Sequence, residues 1–400
     1  MTRLRWVGLV AAAVVLAACG GGSPETEDAG SPVPTAEGEP TAVPETPTET
    51  PSPTPTSPTC RAVVEQMSAE EQAGQVFMVA ITNDWAPDAA TMQVIADHHI
   101  GSVLLLGNST EGVDHIRGFT DEIRETVGED VLIAVDQEGG QVQRLQGSGF
   151  DRIPDALEQA HSPDLAVDAE RWGEQLAEAG VDLNLAPVAD HVPGDMADHN
   201  EPVAKLRRGY STNPDEISLL VAEYVQGMGR AGVGTSLKHY PGLGRVVGNP
   251  DFAEEVVDAR TTRDDPGLAP FAAGLEAGAS TLMVSSATYT RIDPEHQAVF
   301  STVILQEMIR GDLGVDGVVI SDDLGVAENL ASVPVADRGW RFLAAGGDLV
   351  INADPAKATA MSDQLVARMA AEPVFADQVA ASAVRVQTLK ADLGLVDCTP

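Results

Sequence analysis

Four short segments of this 400-residue chain gather side chains able to do acid–base or nucleophilic chemistry. Asp136-Gln137-Glu138-Gly139-Gly140 runs on into Gln141-Val142-Gln143-Arg144, and Pro187-Val188-Ala189-Asp190 adds a carboxylate. Lys238-His239-Tyr240-Pro241-Gly242 and Ser321-Asp322-Asp323-Leu324 complete the set. The ionised carboxylate of Asp136 only accepts hydrogen bonds, whereas Lys238, His239, Arg144 and Arg208 can donate them. Such a mixture suits a ligand rich in hydroxyls. The alternative for either arginine is an ion pair that braces a loop. No GxGxxG or GxxxxGK[ST] turn is present, so nothing points to a nucleotide cofactor. No cluster of metal-ligating residues is evident either, and neither cofactor nor metal is expected.

Each chemical segment follows a short apolar run. The runs Gln75–Ile81, Ser102–Leu106, Val131–Val135, Leu183–Ala186, Gly234–Leu237, Thr281–Val284, Val318–Ile320 and Asp348–Ile351 read as strands. Longer amphipathic stretches between and after them read as helices: Ala89–His98, Gly112–Val127, Leu165–Ala179, Glu216–Arg230, Ile304–Gly311, Val335–Ala345, Lys357–Ala371 and Phe375–Leu393. Nearly continuous apolar strands alternating with helices predict a parallel sheet covered on both faces. Eight such units fit a closed (β/α)8 TIM-type barrel, with an open doubly wound sheet as the alternative. In a barrel the chemistry sits at the C-terminal strand ends, where the four segments fall.

Val135-Asp136-Gln137-Glu138-Gly139-Gly140, Lys238-His239-Tyr240-Pro241-Gly242 and Ile320-Ser321-Asp322-Asp323-Leu324 resemble three signature segments of glycoside hydrolase family 3. Asn184-Leu185-Ala186-Pro187-Val188-Ala189-Asp190 is a fourth match, and Arg208-Gly209-Tyr210-Ser211 is similar to a sugar-binding Arg-Ser-Phe segment. The resemblance extends from about residue 60 to 395 and is strongest to single-domain bacterial β-N-acetylhexosaminidases. It implies retaining hydrolysis with Asp322 as nucleophile, since that chemistry needs a carboxylate under the anomeric carbon. It also implies sugar binding by Asp136, Lys238 and His239, with Arg144 and Arg208 as further donors. Glu138 is expected to hold the glycine turn, and strand alternation points Asp323 away from the site.

One segment departs from the pattern. Retaining hydrolysis needs a proton donor for the leaving oxygen, later a base for water. Single-domain hexosaminidases carry it as a histidine in an Asp-Ser-His triplet, on a loop opening with Pro-Gly-His-Gly. Here the loop reads Pro241-Gly242-Leu243-Gly244-Arg245-Val246-Val247-Gly248-Asn249-Pro250-Asp251-Phe252, with Leu243 for the first histidine and Asn249-Pro250-Asp251 for the triplet. Asp251 can take the role if burial raises its pKa. Glu254 or Glu255 can do so after a loop shift. Failing these, the domain is a surface-anchored sugar-binding lipoprotein with impaired turnover.

The chain ends set the compartment. Arg3 and Arg5 precede an apolar run, Val7–Ala17, that is too short to span a bilayer and reads as the core of a signal peptide. Leu16-Ala17-Ala18-Cys19 resembles the bacterial lipoprotein processing site, which would place a lipid on Cys19 and anchor the protein to the outer face of the cytoplasmic membrane. The expected organisation is a signal peptide at 1–18, a Pro/Thr/Glu-rich linker at 19–58 unable to build a core, and the barrel at 59–400. Cys60 and Cys398 flank the barrel and are expected to pair in an oxidising compartment. With 61 acidic against 24 basic residues the net charge is −37, which repels nucleic acid. The expected partners are the membrane, through the anchor, and N-acetylglucosamine-containing glycans or wall fragments as substrate. The sequence fixes no oligomeric state.

Overall fold

A computed structural model describes residues 60–82 and 88–398. The expected signal peptide, the linker and Cys19 lie outside the described residues.

Eight strands form one parallel sheet: β1 Phe77–Thr82, β2 Ser102–Leu106, β3 Leu132–Val135, β4 Leu183–Asn184, β5 Gly234–Tyr240, β6 Thr281–Val284, β7 Val318–Ser321 and β8 Val350–Asn352. Neighbours in sequence are neighbours in space from β1 to β7, and β8 pairs with β1. A parallel bridge from Ile320 to Leu349 joins β7 to the start of β8. Ser321 N–H donates to Leu349 O at 3.0 Å, and Leu324 N–H donates to Ile351 O at 2.9 Å. The sheet therefore closes in chain order as a (β/α)8 barrel, the expected fold, rather than remaining open.

The strands form because they are short, apolar and buried on both faces. Successive side chains point to opposite sides, so each strand feeds two cores. Met78, Ala80, Leu104, Leu132, Ala134, Leu183, Leu185, Met283, Val318, Ile320 and Ile351 pack in the interior cluster. Phe77, Val79, Ile81, Val103, Leu105, Ile133 and Val135 belong to the cluster shared with the helices. Helix starts are written locally: Asp88 caps Ala89–Asp97, Asp164 caps Leu165–Glu178, and Asn213 caps Pro214–Arg230 with Pro214 in its first turn.

Several expected boundaries move. The first strand begins at Phe77 because a capping box between Ser68 and Glu71 starts a helix, Ala69–Gln75, that consumes Gln75. Regular pairing of the fourth strand stops at Asn184, three residues before Pro187, which has no N–H to donate. The fifth runs on to Tyr240, so Lys238 and His239 belong to the strand itself. The eighth starts at Val350, and Asp348 is spent on ion pairs with Arg310 and Arg385. A helix at Ala269–Glu276, between β5 and β6, was not expected; eight mostly apolar residues carry little amphipathic signal.

Cys60 and Cys398 form a disulfide across 338 residues of sequence. It joins the short helix Cys60–Val64 to the end of the chain, beyond the helix Pro373–Asp392. No helix among the described residues is long and apolar enough to cross a membrane.

Candidate active site

The C-terminal strand ends surround a cavity of about 400 Å³. Leu104, Leu106, Leu185, Met283 and Ile351 form its apolar base, as inward-facing residues one step above the barrel core. The same alternation carries Asp136 inward after Ala134, Lys238 after Ser236 and Asp322 after Ile320. Asp136, Arg144, Arg208, Lys238, His239, Asp251 and Asp322 all line this one cavity, so the expected nucleophile, acid and sugar-binding residues converge there. Glu254 and Glu255 do not line it. A hollow of about 530 Å³ at the opposite end, edged by Gly234, Ser280, Asp316 and Arg385, holds none of these groups.

The segment after β3 is held by a glutamine and an asparagine. Gln137 Nε2 donates to Leu145 O at 2.8 Å, and its Oε1 accepts from Leu145 N–H at 2.9 Å. Asn184 Oδ1 accepts from Gln137 N–H at 3.0 Å, and its amide donates to Tyr224 Oη at 3.0 Å. Gly139, at φ +101°, turns the chain where a Cβ would lie 2.2 Å from Pro154 O. With the turn fixed from outside, Asp136 and Glu138 face the cavity.

Glu138 does more than hold a glycine turn. It takes a bidentate pair from Arg208, at 2.8 and 2.7 Å, and Lys238 Nζ lies 2.6 Å from its Oε1. Lys238 also donates to Asp136 Oδ1 at 2.5 Å. Burial alone would raise the Glu138 pKa, but Arg208 and Lys238 outweigh it and hold the carboxyl well below the usual range. Burial likewise works against the Lys238 charge, yet Asp136 and Glu138 keep its pKa raised. The lysine is therefore a fixed cation. Arg208 is largely a brace, since its remaining Nη1 donates to Pro202 O at 2.8 Å.

His239 is oriented by a residue that sequence reasoning left without a role. Buried Asp190 accepts from His239 N–H at 2.9 Å and lies 2.8 Å from Nδ1. This contact assigns the proton to Nδ1 and leaves Nε2 turned toward Arg208 Nη2 at 3.4 Å. The signal was present, a carboxylate closing the segment after the fourth strand, but its partner was not readable. Arg144 contrasts with the other cations: Nη1 donates to Asn108 Oδ1 at 3.2 Å, and its buried Nε has no protein partner. Donors on this arginine stay available to a ligand.

The two aspartates after β7 divide their work. Asp323 accepts N–H bonds from Gly325, Val326 and Ala353, each at 2.8 Å, and so ties the loop to β8. Asp322 accepts one, from Asp323 N–H at 2.9 Å, and lines the cavity. Asp251 stands at the mouth in the loop after β5. Burial first, and then the charges of Asp322 and Asp323, push its pKa up to about 6. The residue as a whole is exposed, which discounts the burial contribution. Repulsion from the two carboxylates acts the same way, so the upward direction stands.

Buried amides fix this loop. Asn200 Nδ2 donates to Leu243 O at 2.7 Å and Val246 O at 2.9 Å, while its Oδ1 accepts from Val203 and Ala204 N–H. Asn329 Oδ1 accepts from Val256 N–H at 2.8 Å, and its Nδ2 donates to Ser286 O. Gly244 approaches so closely that a Cβ would lie 1.9 Å from His191 O. A carboxylate facing a sugar-sized, apolar-based cavity, with a second carboxyl able to hold a proton near neutrality, is the equipment for cleaving an acetal.

Comparison with known proteins agrees. The sequence model of the Glycosyl hydrolase family 3 N terminal domain matches residues 68–389. A β-hexosaminidase of Xanthomonas oryzae is 34% identical over 269 residues, 64% of this chain and 77% of that protein. One from Pseudomonas aeruginosa is 34% identical over 282 residues, covering 68% and 80%. Among solved structures, the β-N-acetylhexosaminidase of Beutenbergia cavernae superposes with a TM-score of 0.79 at 40% identity, covering 82% of this chain and 99% of that one.

Proposed function

This chain belongs to glycosyl hydrolase family 3, and from that premise we propose how its cavity cleaves a glycosidic bond. The enzyme hydrolyses O-glycosidic bonds at terminal β-linked N-acetylhexosamine residues. Asp322 attacks the anomeric carbon as the bond to the leaving oxygen breaks, and Asp251 gives that oxygen its proton. Water then attacks the glycosyl–Asp322 ester, Asp251 takes back a proton, and the sugar leaves with its configuration retained. Asp136, Lys238, His239 and Arg144 bind hydroxyls of the terminal sugar, and Arg208 positions Lys238 through their shared partner Glu138.

The observation that carries this assignment is the placing of Asp251 and Asp322 on one cavity, with Asp251 disposed to keep a proton. A sugar-binding protein without turnover had its support in the missing loop histidine, and the loop supplies a carboxyl in that place. The test incubates Asp251→Asn, which keeps the nucleophile but lacks the base for the second step, with N-acetylglucosaminyl fluoride and follows the protein by mass spectrometry. A glycosyl adduct on Asp322, absent from Asp322→Asn, is expected. Turnover without any adduct, or an adduct elsewhere, would overturn the nucleophile.

The reading extends to location. Processing at Leu16-Ala17-Ala18-Cys19 would place a lipid on Cys19 and hold the enzyme on the outer face of the cytoplasmic membrane, among N-acetylglucosamine-containing wall fragments. The Cys60–Cys398 bond suits that oxidising side. Cys19→Ser is expected to move the protein from the membrane to the soluble fraction; unchanged membrane association would refute the anchor.

A further inference from the structure

The cavity wall changes character around its mouth. On the side of β2 and β3 stands Arg144, with donors to spare. On the far side, between the loops after β5 and β7, the wall is Pro250, Phe252 and Val326. Phe252 is 82% exposed and Val326 45%. Single exposed apolar residues are ordinary. These two, however, share one cavity edge and sit on loops held side by side. Asn329 N–H donates to Pro250 O at 3.1 Å, and Glu328 N–H donates to Asp251 O at 3.4 Å.

The charged groups lining this edge are carboxylates, Asp251, Asp322 and Asp323, while Glu254, Glu255 and Glu328 lie on the same two loops outside the cavity. Their neighbouring cations are engaged: Lys357 with Asp354 and Gly325 O, Arg245 with Asp265 and Thr261, and Arg338, buried beside Asp323 and Glu328, with Val333 O, Leu324 O and Gly325 O. Phe252 follows Asp251 in the chain and lines the same cavity, so the ring stands next to the group that would protonate the leaving oxygen.

We propose that Phe252 and Val326 form the leaving-group subsite, an apolar platform for an uncharged pyranose whose carboxylate surroundings disfavour an acidic aglycone. The proposal rests on the reading of Asp251 as proton donor. A pyranose offers one face of C–H groups to an aromatic ring, which can cover it without satisfying hydroxyls. A carboxylate on the same sugar would meet Asp322 and Asp323 and, on this edge, no free cation. Among wall-derived glycans the enzyme then favours N-acetylglucosamine linked to a neutral sugar over the same sugar linked to N-acetylmuramic acid.

The test compares kcat/KM for N-acetylglucosaminyl fluoride, whose leaving group is too small to reach Phe252, with values for N,N′-diacetylchitobiose and for N-acetylglucosaminyl-β-1,4-N-acetylmuramic acid. Phe252→Ala is expected to lower the chitobiose value at least tenfold more than the fluoride value, with Phe252→Tyr restoring most of the loss. The wild type is expected to prefer chitobiose to the muramyl disaccharide at least tenfold. Equal effects of Phe252→Ala on fluoride and chitobiose, or equal or better turnover of the acidic disaccharide, would overturn the subsite while leaving the glycosidase reading intact. A wild type inert toward all three substrates would overturn both.

Discussion

The cavity holds several carboxylates, and their surroundings separate their roles. Glu138 and Asp136 are neutralised by cations and Asp323 is consumed by backbone N–H groups, which leaves Asp322 and Asp251 for chemistry. Asp322→Asn is expected to cost at least about a thousandfold in kcat, read from the fluoride substrate, because the one other unengaged carboxyl, Asp251, serves as the proton donor. For Asp251 the sign of the pH effect follows from its raised pKa. The carboxyl must be protonated to act as acid, so kcat/KM on chitobiose falls as pH rises through about 6. Asp251→Asn should lower that rate by about 10²–10⁴-fold and remove this limb from the pH profile, with a much smaller loss on the fluoride. A limb that persists in Asp251→Asn would assign the acid elsewhere. These residues were legible because each closes an apolar strand or replaces a member of a known triplet. The Asp190–His239 contact and the capture of Arg208 by Glu138 were not, since both join segments far apart in sequence and depend on rotamers that the barrel alone decides.

At the scale of elements, the strands were readable from short apolar runs, while their ends were not, because caps and prolines compete for the same positions. Gln75 went to a capped helix, and Lys238 and His239 went to a strand that outlasted its apolar run. The loop 241–256 was readable only as a departure. Its fixed shape comes from Asn200 and Asn329, asparagines outside any motif that spend their amides on its backbone. Asn200→Ala removes two hydrogen bonds donated to carbonyls and the one oxygen that accepts from two N–H groups. That should destabilise the fold by about 1–3 kcal/mol and displace Asp251 from its place at the mouth. Loss of kcat on chitobiose greater than on the fluoride is therefore expected, together with a modest fall in Tm. An equal loss on both substrates would mean that the asparagine supports the barrel and not the proton donor.

For the whole molecule, the question is what keeps the first and last elements of a closed barrel together. β1 and β8 complete the ring through only three registered pairs, Phe77–Val350, Met78–Ile351 and Val79–Asn352. Outside them, Gln387 Nε2 and Lys390 Nζ from the last helix both donate to Gln75 Oε1, at 2.7 and 2.8 Å, beneath the first strand. The disulfide between Cys60 and Cys398 acts at the same seam, and its 338-residue span makes the loss of unfolded-state freedom large. Replacing both cysteines by serine should lower stability by about 2–4 kcal/mol, measured as a drop in denaturant midpoint with an increased m-value, because the freed unfolded chain exposes more surface. The cavity lies at the other end of the strands, so kcat/KM at 25 °C should change less than twofold. A double variant that keeps the wild-type midpoint would show that the seam is held by β1–β8 pairing and the Gln75 contacts alone. Lost activity in a variant that remains folded would show instead that closure at the base governs the geometry of Asp322 at the top.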